Sequence, residues 1–178
     1  MRSVVIGTRG SSLATCQAQM VQTALEERYP AHSFRLKTIK AHADQHPELS
    51  LTAMSGEGIF VKELEAALLS RQIDCAVHSM KDMPAELPDG LKIASITKRL
   101  DPHDALISRG NLRLSELPIG AVIGTSSLRR KSQILNIRPD LMAVDLRGNL
   151  DTRLKKLADG NFDAIVAAAA GLERMNLK

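Results

Sequence analysis

The sequence predicts an α/β fold arranged as two small domains. Short apolar runs typical of strands alternate with amphipathic helical patterns along all 178 residues. This pattern breaks near residues 99–104, and the charge balance changes at the same place. Residues 1–98 carry 11 Lys and Arg against 11 Asp and Glu, whereas residues 99–178 carry 13 against 9. We therefore expect one domain over residues 1–98 and a second over residues 99–178, facing each other across a cleft.

The first domain is expected to hold four strands and two helices. Leu13–Arg28 has an amphipathic pattern that Pro30 closes, and Phe60–Gln72 places Leu64, Ala67 and Leu68 on one helical face. The predicted strands are short apolar or alternating runs: Ser3–Gly7, Ser33–Ile39, Ile73–Val77 and Leu91–Thr97. Residues 41–58 show no clean period and contain two glycines, which predicts a mobile loop.

The second domain continues the alternation. Its predicted strands are Ala105–Ser108, Ala121–Gly124, Leu141–Leu146 and Ala164–Ala168, and its predicted helices are Ser127–Ile137, Leu150–Ala158 and one beginning near Gly171. The sequence stops seven residues after Gly171, one turn into that last helix. A sheet left partly uncovered in this way is unfavourable, so we expect this domain to be incomplete.

The composition disfavours several classes of function. Only 2% of the residues are aromatic, there is no Trp, and no run of five basic residues occurs, so nucleic-acid binding is not expected. No apolar run approaches the roughly 18 residues of a membrane span. Cys16 and Cys75 form no CxxC motif and follow no secretory leader, which favours the cytosol and two buried thiols. His42, Asp44 and His46 have a metal-like spacing, but a polar loop is the better interpretation and no metal site is expected.

A Lys-Asp pair follows one predicted strand. Ser79, Lys81 and Asp82 come directly after Ile73–Val77, at the edge of the sheet where ligands bind in open α/β folds. A carboxylate beside an anion-binding surface points to a polyanionic substrate on which positive charge develops. The alternative is that Asp82 only caps the turn before Met83-Pro84.

Three further strand ends carry arginines. Thr125, Ser127, Arg129 and Arg130 follow Gly124, a pattern that offers N–H groups, hydroxyls and guanidinium groups to an anion. Adjacent helix positions diverge by about 100°, so one of the two arginines is expected to be structural unless both lie in the first turn. The other two strand ends supply Arg9 with Ser11, and Arg147 with Gly148 and Arg153. Taken singly, each could be a helix cap or a surface ion pair, but the recurrence favours binding of a carboxylate-rich ligand.

The motifs GTRGSSLA, FVKELE, HSMKDMP, GTSSLRR, LRGN with TR, and AAAAGLERM resemble, in order and spacing, the porphobilinogen deaminase (hydroxymethylbilane synthase) family. The resemblance covers essentially the whole chain. It implies two domains similar to type II periplasmic binding proteins, with a third domain of the family absent from this chain, and with domain 1 lacking a segment that returns from domain 2. It also implies a transferase of haem biosynthesis that joins four porphobilinogens into a linear tetrapyrrole. The enzyme is expected to be a cytoplasmic monomer with no nucleic-acid or membrane partner.

The resemblance also assigns roles to the residues singled out above. Asp82 is implied as the catalytic carboxylate, which also contacts the dipyrromethane cofactor. The other residues implied to hold this cofactor are Ser79, Lys81, Thr125, Ser127, Arg129, Arg130 and Gly148. Those implied to contact the substrate are Arg9, Ser11, Arg147, Arg153 and Arg174. The family attaches the cofactor to a cysteine of the third domain, and neither Cys16 nor Cys75 lies in a matching motif.

Two local departures from the family pattern lie in the predicted loop. Glu57 stands where relatives have lysine, and Ala41-His42-Ala43-Asp44 keeps only the aspartate of a TxGD-like segment. A negative charge at Glu57 would oppose incoming carboxylates unless the loop leans outward. The absence of the third domain, which carries the cofactor-bearing cysteine of the family, predicts a chain that is inactive alone. The competing hypothesis is a non-catalytic carboxylate-binding module of the same architecture, since fold alone does not determine function.

Overall fold

The computed structural model describes residues 3–40 and 61–177. The chain divides into two compact units, residues 1–98 and 99–178, here called unit 1 and unit 2. In the described part of the chain, no helix is long and apolar enough to cross a membrane.

Unit 1 contains a three-stranded parallel sheet in the order β2-β1-β3. Its elements are β1 (Ser3–Thr8), α1 (Ser12–Arg28), β2 (Ser33–Thr38), α2 (Lys62–Leu69) and β3 (Cys75–Ala76). A 3-10 turn over Met80–Asp82 follows β3. Val5 of β1 packs with Leu64 and Ala67 of α2 and with Ile73, so the periodic apolar face of α2 forms the core on the sheet.

Unit 2 contains a four-stranded sheet in the order β4-β7-β5-β6, in which β4 is antiparallel to β7 and the other pairs are parallel. Its elements are β4 (Asp104–Ser108), β5 (Val122–Gly124), α3 (Leu128–Ile137), β6 (Met142–Val144), α4 (Leu150–Ala158), β7 (Ala164–Ala168) and α5 (Ala169–Arg174). Successive β7 residues point to opposite faces, so Val166 packs with Ile134 of α3, and Ile165 packs with Leu157 of α4.

Equivalent aspartates set the start of one strand in each unit. Just before β3, Asp74 donates its N–H to Val5 O at 2.9 Å and accepts the Val5 N–H on Oδ2 at 2.8 Å. Just before β7, Asp163 makes the same two bonds with Val122, at 2.9 and 2.8 Å. Each aspartate extends the hydrogen-bond ladder to the residue just before its strand. This fixes the strand register, so that the carboxyl ends of the paired strands lie at the same edge of the sheet.

The predicted α/β alternation is confirmed, and one predicted strand is wrong. Residues 91–97 form no strand, and Ile93 and Ile96 are exposed. Their apolar pattern suits a strand, but neither edge strand of the unit 1 sheet, β2 or β3, pairs with them. The predicted loop at residues 41–58, with Glu57 and the His42, Asp44 and His46 group, lies outside the described residues.

Candidate functional site

Two loops of unit 1 emerge side by side at the carboxyl edge of its sheet. Because β1 and β3 are parallel, with Gly7 opposite Ala76, the loop after β1 and the loop after β3 leave the sheet together. Arg9 and Ser11 are on the first loop, and Ser79 and Asp82 are on the second. These four residues, selected from two separate stretches of sequence, line one small cavity of about 60 Å³.

Buried hydroxyl bonds fix the first of these loops. Thr8 is completely buried, and its hydroxyl donates to Ala14 O at 3.0 Å, which ties the end of β1 to the first turn of α1. Ser11 caps that helix, since its Oγ accepts the Ala14 N–H at 3.3 Å. Of the two serines that the sequence offered for this cap, Ser11 therefore holds the position, and its neighbour Arg9 is half-buried at the helix entrance.

A glutamine that the sequence analysis did not select holds the second loop. Gln17 of α1 donates from Nε2 to Ser79 Oγ at 3.0 Å and also lines the cavity. The signal in the sequence was a polar side chain one turn after Leu13 and one turn before Val21, on an otherwise apolar side of α1. A single glutamine at such a position has no chemical signature, because its role depends on a residue 62 positions away.

Asp82 lies in the 3-10 turn after β3. Its backbone N–H donates to Ser79 O at 3.0 Å, and its side chain is exposed. Within residues 3–40 and 61–177, no hydrogen bond or ion pair of the Asp82 carboxylate is present, and the turn begins without a side-chain cap. Turn capping therefore does not account for Asp82, whose carboxylate is open to a ligand. Lys81 is also exposed on this turn, outside the cavity lining.

In unit 2, the loops after β5 and β6 are locked together. Thr125 is 1% exposed, and its N–H donates to Val144 O at 2.8 Å while its Oγ1 accepts the Ser127 N–H at 3.3 Å. Ser126 Oγ donates to Leu146 O at 2.9 Å and accepts the Leu146 N–H at 3.1 Å. Buried Thr125 thus fixes the conformation of the loop after β5. Ser127 caps α3, since its Oγ accepts the Arg130 N–H.

Gly148 is required by the geometry of the loop after β6. Its φ is +106°, and an added Cβ would lie 2.7 Å from Thr152 Cγ2. The next residue, Asn149, caps α4 by accepting the Thr152 N–H at 2.9 Å. Arg153 donates from Nε to Gly148 O at 2.8 Å, and so lies over the same loop as half-buried Arg147.

Arg129 and Arg130 both lie in the first turn of α3 and both contact Asp104, the first residue of β4. Arg130 donates from Nε and Nη2 to Asp104 Oδ1 at 3.0 and 2.7 Å and from Nη1 to Val166 O at 3.2 Å. Its side chain is only 12% exposed. Arg129 donates from Nη2 to Asp104 Oδ2 at 2.7 Å, and its side chain is 60% exposed. The Arg130 side chain is therefore largely buried among its partners, whereas most of the Arg129 side chain is exposed.

Asp104 was not among the residues selected from the sequence. Its signal was a charged residue opening the apolar run Ala105–Ser108. Partial burial opposes its ionisation, but hydrogen bonds from Arg130 and then Arg129 outweigh this and hold the pKa of Asp104 below its ordinary value.

The remaining candidates lie apart from these loops in the chain. Arg174 ends the short helix α5, which follows β7 directly. Cys16 and Cys75 form no disulfide and are half-buried rather than buried as expected. Burial, followed by the nearby Asp74 charge, raises the pKa of the Cys75 thiol. No group of three potential metal ligands occurs among the described residues.

Comparison with known proteins gives one consistent result. The family model described as "Porphobilinogen deaminase, dipyromethane cofactor binding domain" matches residues 4–178. The chain is 54% identical over 178 residues to porphobilinogen deaminase from Thermus thermophilus and 52% identical to that from Bacillus subtilis, covering 100% of the chain and 58% and 57% of those proteins. The chain thus spans a little over half the length of these relatives.

A solved structure supports the fold class. The Bordetella pertussis BvgS periplasmic VFT2 domain has a TM-score of 0.51 at 15% identity, over 96% of this chain and 68% of that one. At this identity the likeness concerns the fold alone. The expected α/β architecture, similar to periplasmic binding domains, is confirmed.

Proposed function

The chain belongs to the porphobilinogen deaminase family, and from this we propose that the protein it forms part of joins four porphobilinogens head to tail, with loss of ammonia, into a linear tetrapyrrole. The match over residues 4–178 supports the family. One structural observation supports the reaction most directly: Asp82 lines the same cavity as Arg9, Ser11 and Ser79. A carboxylate open to ligand, beside a cation and two hydroxyls, suits a substrate that is itself a carboxylic acid and becomes cationic when it reacts.

The residues of unit 2 fit the dipyrromethane cofactor named in the family description. Its carboxylates need donors, and the carboxyl edge of unit 2 offers the exposed Arg129 guanidinium and the first turn of α3. When bound, the dipyrromethane supplies the primer from which the tetrapyrrole grows. We assign its binding to Arg129, Ser127 and Lys81, with Thr125, Arg130 and Gly148 shaping the loops that present these groups. Ser79 is assigned to orient the second loop of unit 1.

Asp82 is proposed as the catalytic carboxylate. Loss of ammonia from porphobilinogen leaves a cation delocalised onto the pyrrole nitrogen, and a fixed carboxylate near that N–H orients the ring and stabilises the developing charge. Hydrogen bonding of the Asp82 N–H to Ser79 O, together with the Gln17–Ser79 bond, holds the turn in place. The turn that carries the carboxylate is thereby in place before the substrate arrives, which favours electrostatic stabilisation.

The substrate carboxylates are assigned to the remaining cations. Arg9 and Ser11 stand beside Asp82 in the unit 1 cavity. Arg147, Arg153 and Arg174 are the corresponding residues of unit 2. Guanidinium groups suit this role because they bind carboxylates through two parallel hydrogen bonds.

We further propose that the complete protein is a cytoplasmic monomer and that the 178-residue chain alone has no synthase activity. Neither cysteine of the chain suits attachment of the cofactor: both are half-buried, and the pKa of the Cys75 thiol is raised by burial. The isolated chain, supplied with porphobilinogen, should form no tetrapyrrole.

The test compares Asp82→Asn with Asp89→Asn in the complete protein encoded by the gene. Asp89 is an exposed carboxylate seven positions further along, outside the cavity lining. Tetrapyrrole formation from porphobilinogen should fall by at least about 100-fold in Asp82→Asn and be unchanged in Asp89→Asn. A simple carboxylate receptor has no use for Asp82. The binding-module hypothesis would therefore be favoured if the unaltered protein bound porphobilinogen without turnover and if Asp82→Asn bound it as well or better.

A further inference from the structure

The topology of unit 2 places Asp104 at the ligand-binding edge of its sheet. Strand β4 is antiparallel to β7, with Asp104 opposite Ala168, the last residue of β7. The first residue of β4 therefore lies at the carboxyl end of the parallel strands β7, β5 and β6. This is the edge from which the arginine-bearing first turn of α3 also begins.

The carboxylate of Asp104 divides its two oxygens between two arginines. Oδ1 accepts both hydrogen bonds from Arg130, and Oδ2 accepts the bond from Arg129. Arg129 is steadied on its other side by Gln133 Oε1, which accepts from Nη1 at 2.9 Å. Two positive charges thus face one negative charge, and the uncompensated charge lies mainly on Arg129, whose side chain is 60% exposed.

We propose that Asp104 is a positioning residue, which fixes Arg130 against the sheet and presents the Arg129 guanidinium to a carboxylate of the bound ligand. The Asp104 carboxylate holds the two guanidinium groups close together. Without it, their like charges would repel and the groups would separate. With Asp104 present, each guanidinium group already keeps one orientation. The arginine side chains therefore lose little rotamer freedom when the ligand binds. This inference rests on the proposed function, since it deepens the assignment of Arg129 to carboxylate binding.

Electrostatics and positioning predict opposite results for the charge-removing variant. Asp104→Asn adds one net positive charge, so if Asp104 were merely a competing anion, a carboxylate ligand would bind more tightly. If Asp104 positions Arg129, the ligand binds more weakly although the site has become more positive. A purely structural role would lower the unfolding temperature but leave the affinity of the folded protein unchanged.

The experiment titrates citrate, a tricarboxylate with no pyrrole ring, into the 178-residue chain by calorimetry at low salt. The affinity should fall about tenfold in Asp104→Asn and stay within about threefold in Asp104→Glu. The matched control is Asp140→Asn, which removes the carboxylate from another aspartate–arginine pair of unit 2, where Asp140 accepts from Arg138 at 2.6 Å. Affinity in this control should match that of the unaltered chain.

Arg129→Lys keeps the charge at an exposed helix position, and so tests the inference even where Asp104→Asn fails to fold. Lysine cannot contact Asp104, Gln133 and a ligand as a planar guanidinium can, and a loss of about fivefold is expected. Unchanged or tighter citrate binding in Asp104→Asn, unchanged binding in Arg129→Lys, or no citrate binding by the unaltered chain would each overturn the inference. Turnover of porphobilinogen by the complete protein is read separately, so failure of the proposed function is distinguishable from failure of this one.

Discussion

Gln17 of α1 and Ser79 of the loop after β3 share a hydrogen bond, 3.0 Å between Nε2 and Oγ, across 62 residues of sequence. The bond links the first two turns of a helix to the turn that carries Asp82. It holds the loop after β3 against the helix that follows the other loop of the unit 1 cavity.

Replacing Gln17 should therefore weaken both stability and binding. Gln17→Ala leaves the partly buried Ser79 hydroxyl without its partner, and we expect the free energy of unfolding to fall by about 1 kcal/mol. The loosened turn should also weaken porphobilinogen binding by the complete protein. Urea unfolding and calorimetry measure the two effects.

The control for this prediction is Gln19→Ala, on the exposed side of the same helix. This variant should change the unfolding free energy by no more than about 0.5 kcal/mol. Equal effects of the two variants would show that the Gln17–Ser79 bond contributes nothing specific.

Gly148 should be the least replaceable glycine of the unit 2 edge. Gly148→Ala combines a left-handed φ of +106° with a Cβ placed 2.7 Å from Thr152 Cγ2. We expect a loss of about 2–3 kcal/mol in the free energy of unfolding, because strain and overlap act together.

Gly120→Ala isolates the backbone part of this cost. Gly120 has a φ of +76°, but its added Cβ would meet no atom within 4 Å. Its loss should be about 1 kcal/mol. Urea unfolding of both variants measures the difference, and a cost for Gly120→Ala equal to that of Gly148→Ala would contradict the role given to the Thr152 contact.

The Asp104 contacts make the stability of unit 2 sensitive to acid. Although partial burial opposes ionisation, hydrogen bonds from Arg130 and Arg129 lower the pKa of Asp104 in the folded state. The folded state then binds fewer protons than the unfolded chain, so the stabilisation is complete above the ordinary aspartate pKa of about 3.9 and is lost as pH falls through the lower folded value.

Urea unfolding at pH 7, 5 and 3 tests this dependence. Stability should change little from pH 7 to 5 on this account and fall between pH 5 and 3. The fall should be smaller in Asp104→Asn, which has no carboxylate to protonate, than in the unaltered chain or in Asp89→Asn. Identical falls in all three proteins would contradict the ionised contact.

Neither cysteine should be needed for activity. Burial raises the pKa of the Cys75 thiol and keeps it protonated, which disfavours covalent chemistry there. In the complete protein, Cys16→Ser and Cys75→Ser should retain the turnover of the unaltered enzyme once corrected for folded fraction. Loss of turnover together with loss of a bound pyrrole adduct in either variant would place the attachment site in this chain.

Local signals in the sequence were enough to predict most elements. Helix α4 and strand β7 occur at the predicted residues, because an asparagine cap and clear apolar periodicity mark their bounds. The strand predicted at Leu91–Thr97 failed because a strand needs a partner, and periodicity does not report whether a neighbouring strand is in place to pair.

Candidate site residues were selected only where they stood in recognisable motifs. The cavity that joins Arg9, Ser11, Ser79 and Asp82 follows from parallel pairing of β1 with β3, which the sequence analysis did not predict. Gln17 and Asp104 were missed because their importance depends on contacts across 62 and about 25 residues. A single glutamine or aspartate carries no sign of such a partner.

The most direct test of the account is the intact mass of the complete protein expressed from its own gene. We predict a mass above the 19.4 kDa of this chain, with a covalent adduct equal to two porphobilinogens less two molecules of ammonia, which is the dipyrromethane. The adduct should persist in Arg129→Lys at reduced occupancy. A complete protein that carries no adduct would contradict the proposal that it works as a dipyrromethane-primed synthase, and would leave these residues a role in carboxylate binding alone.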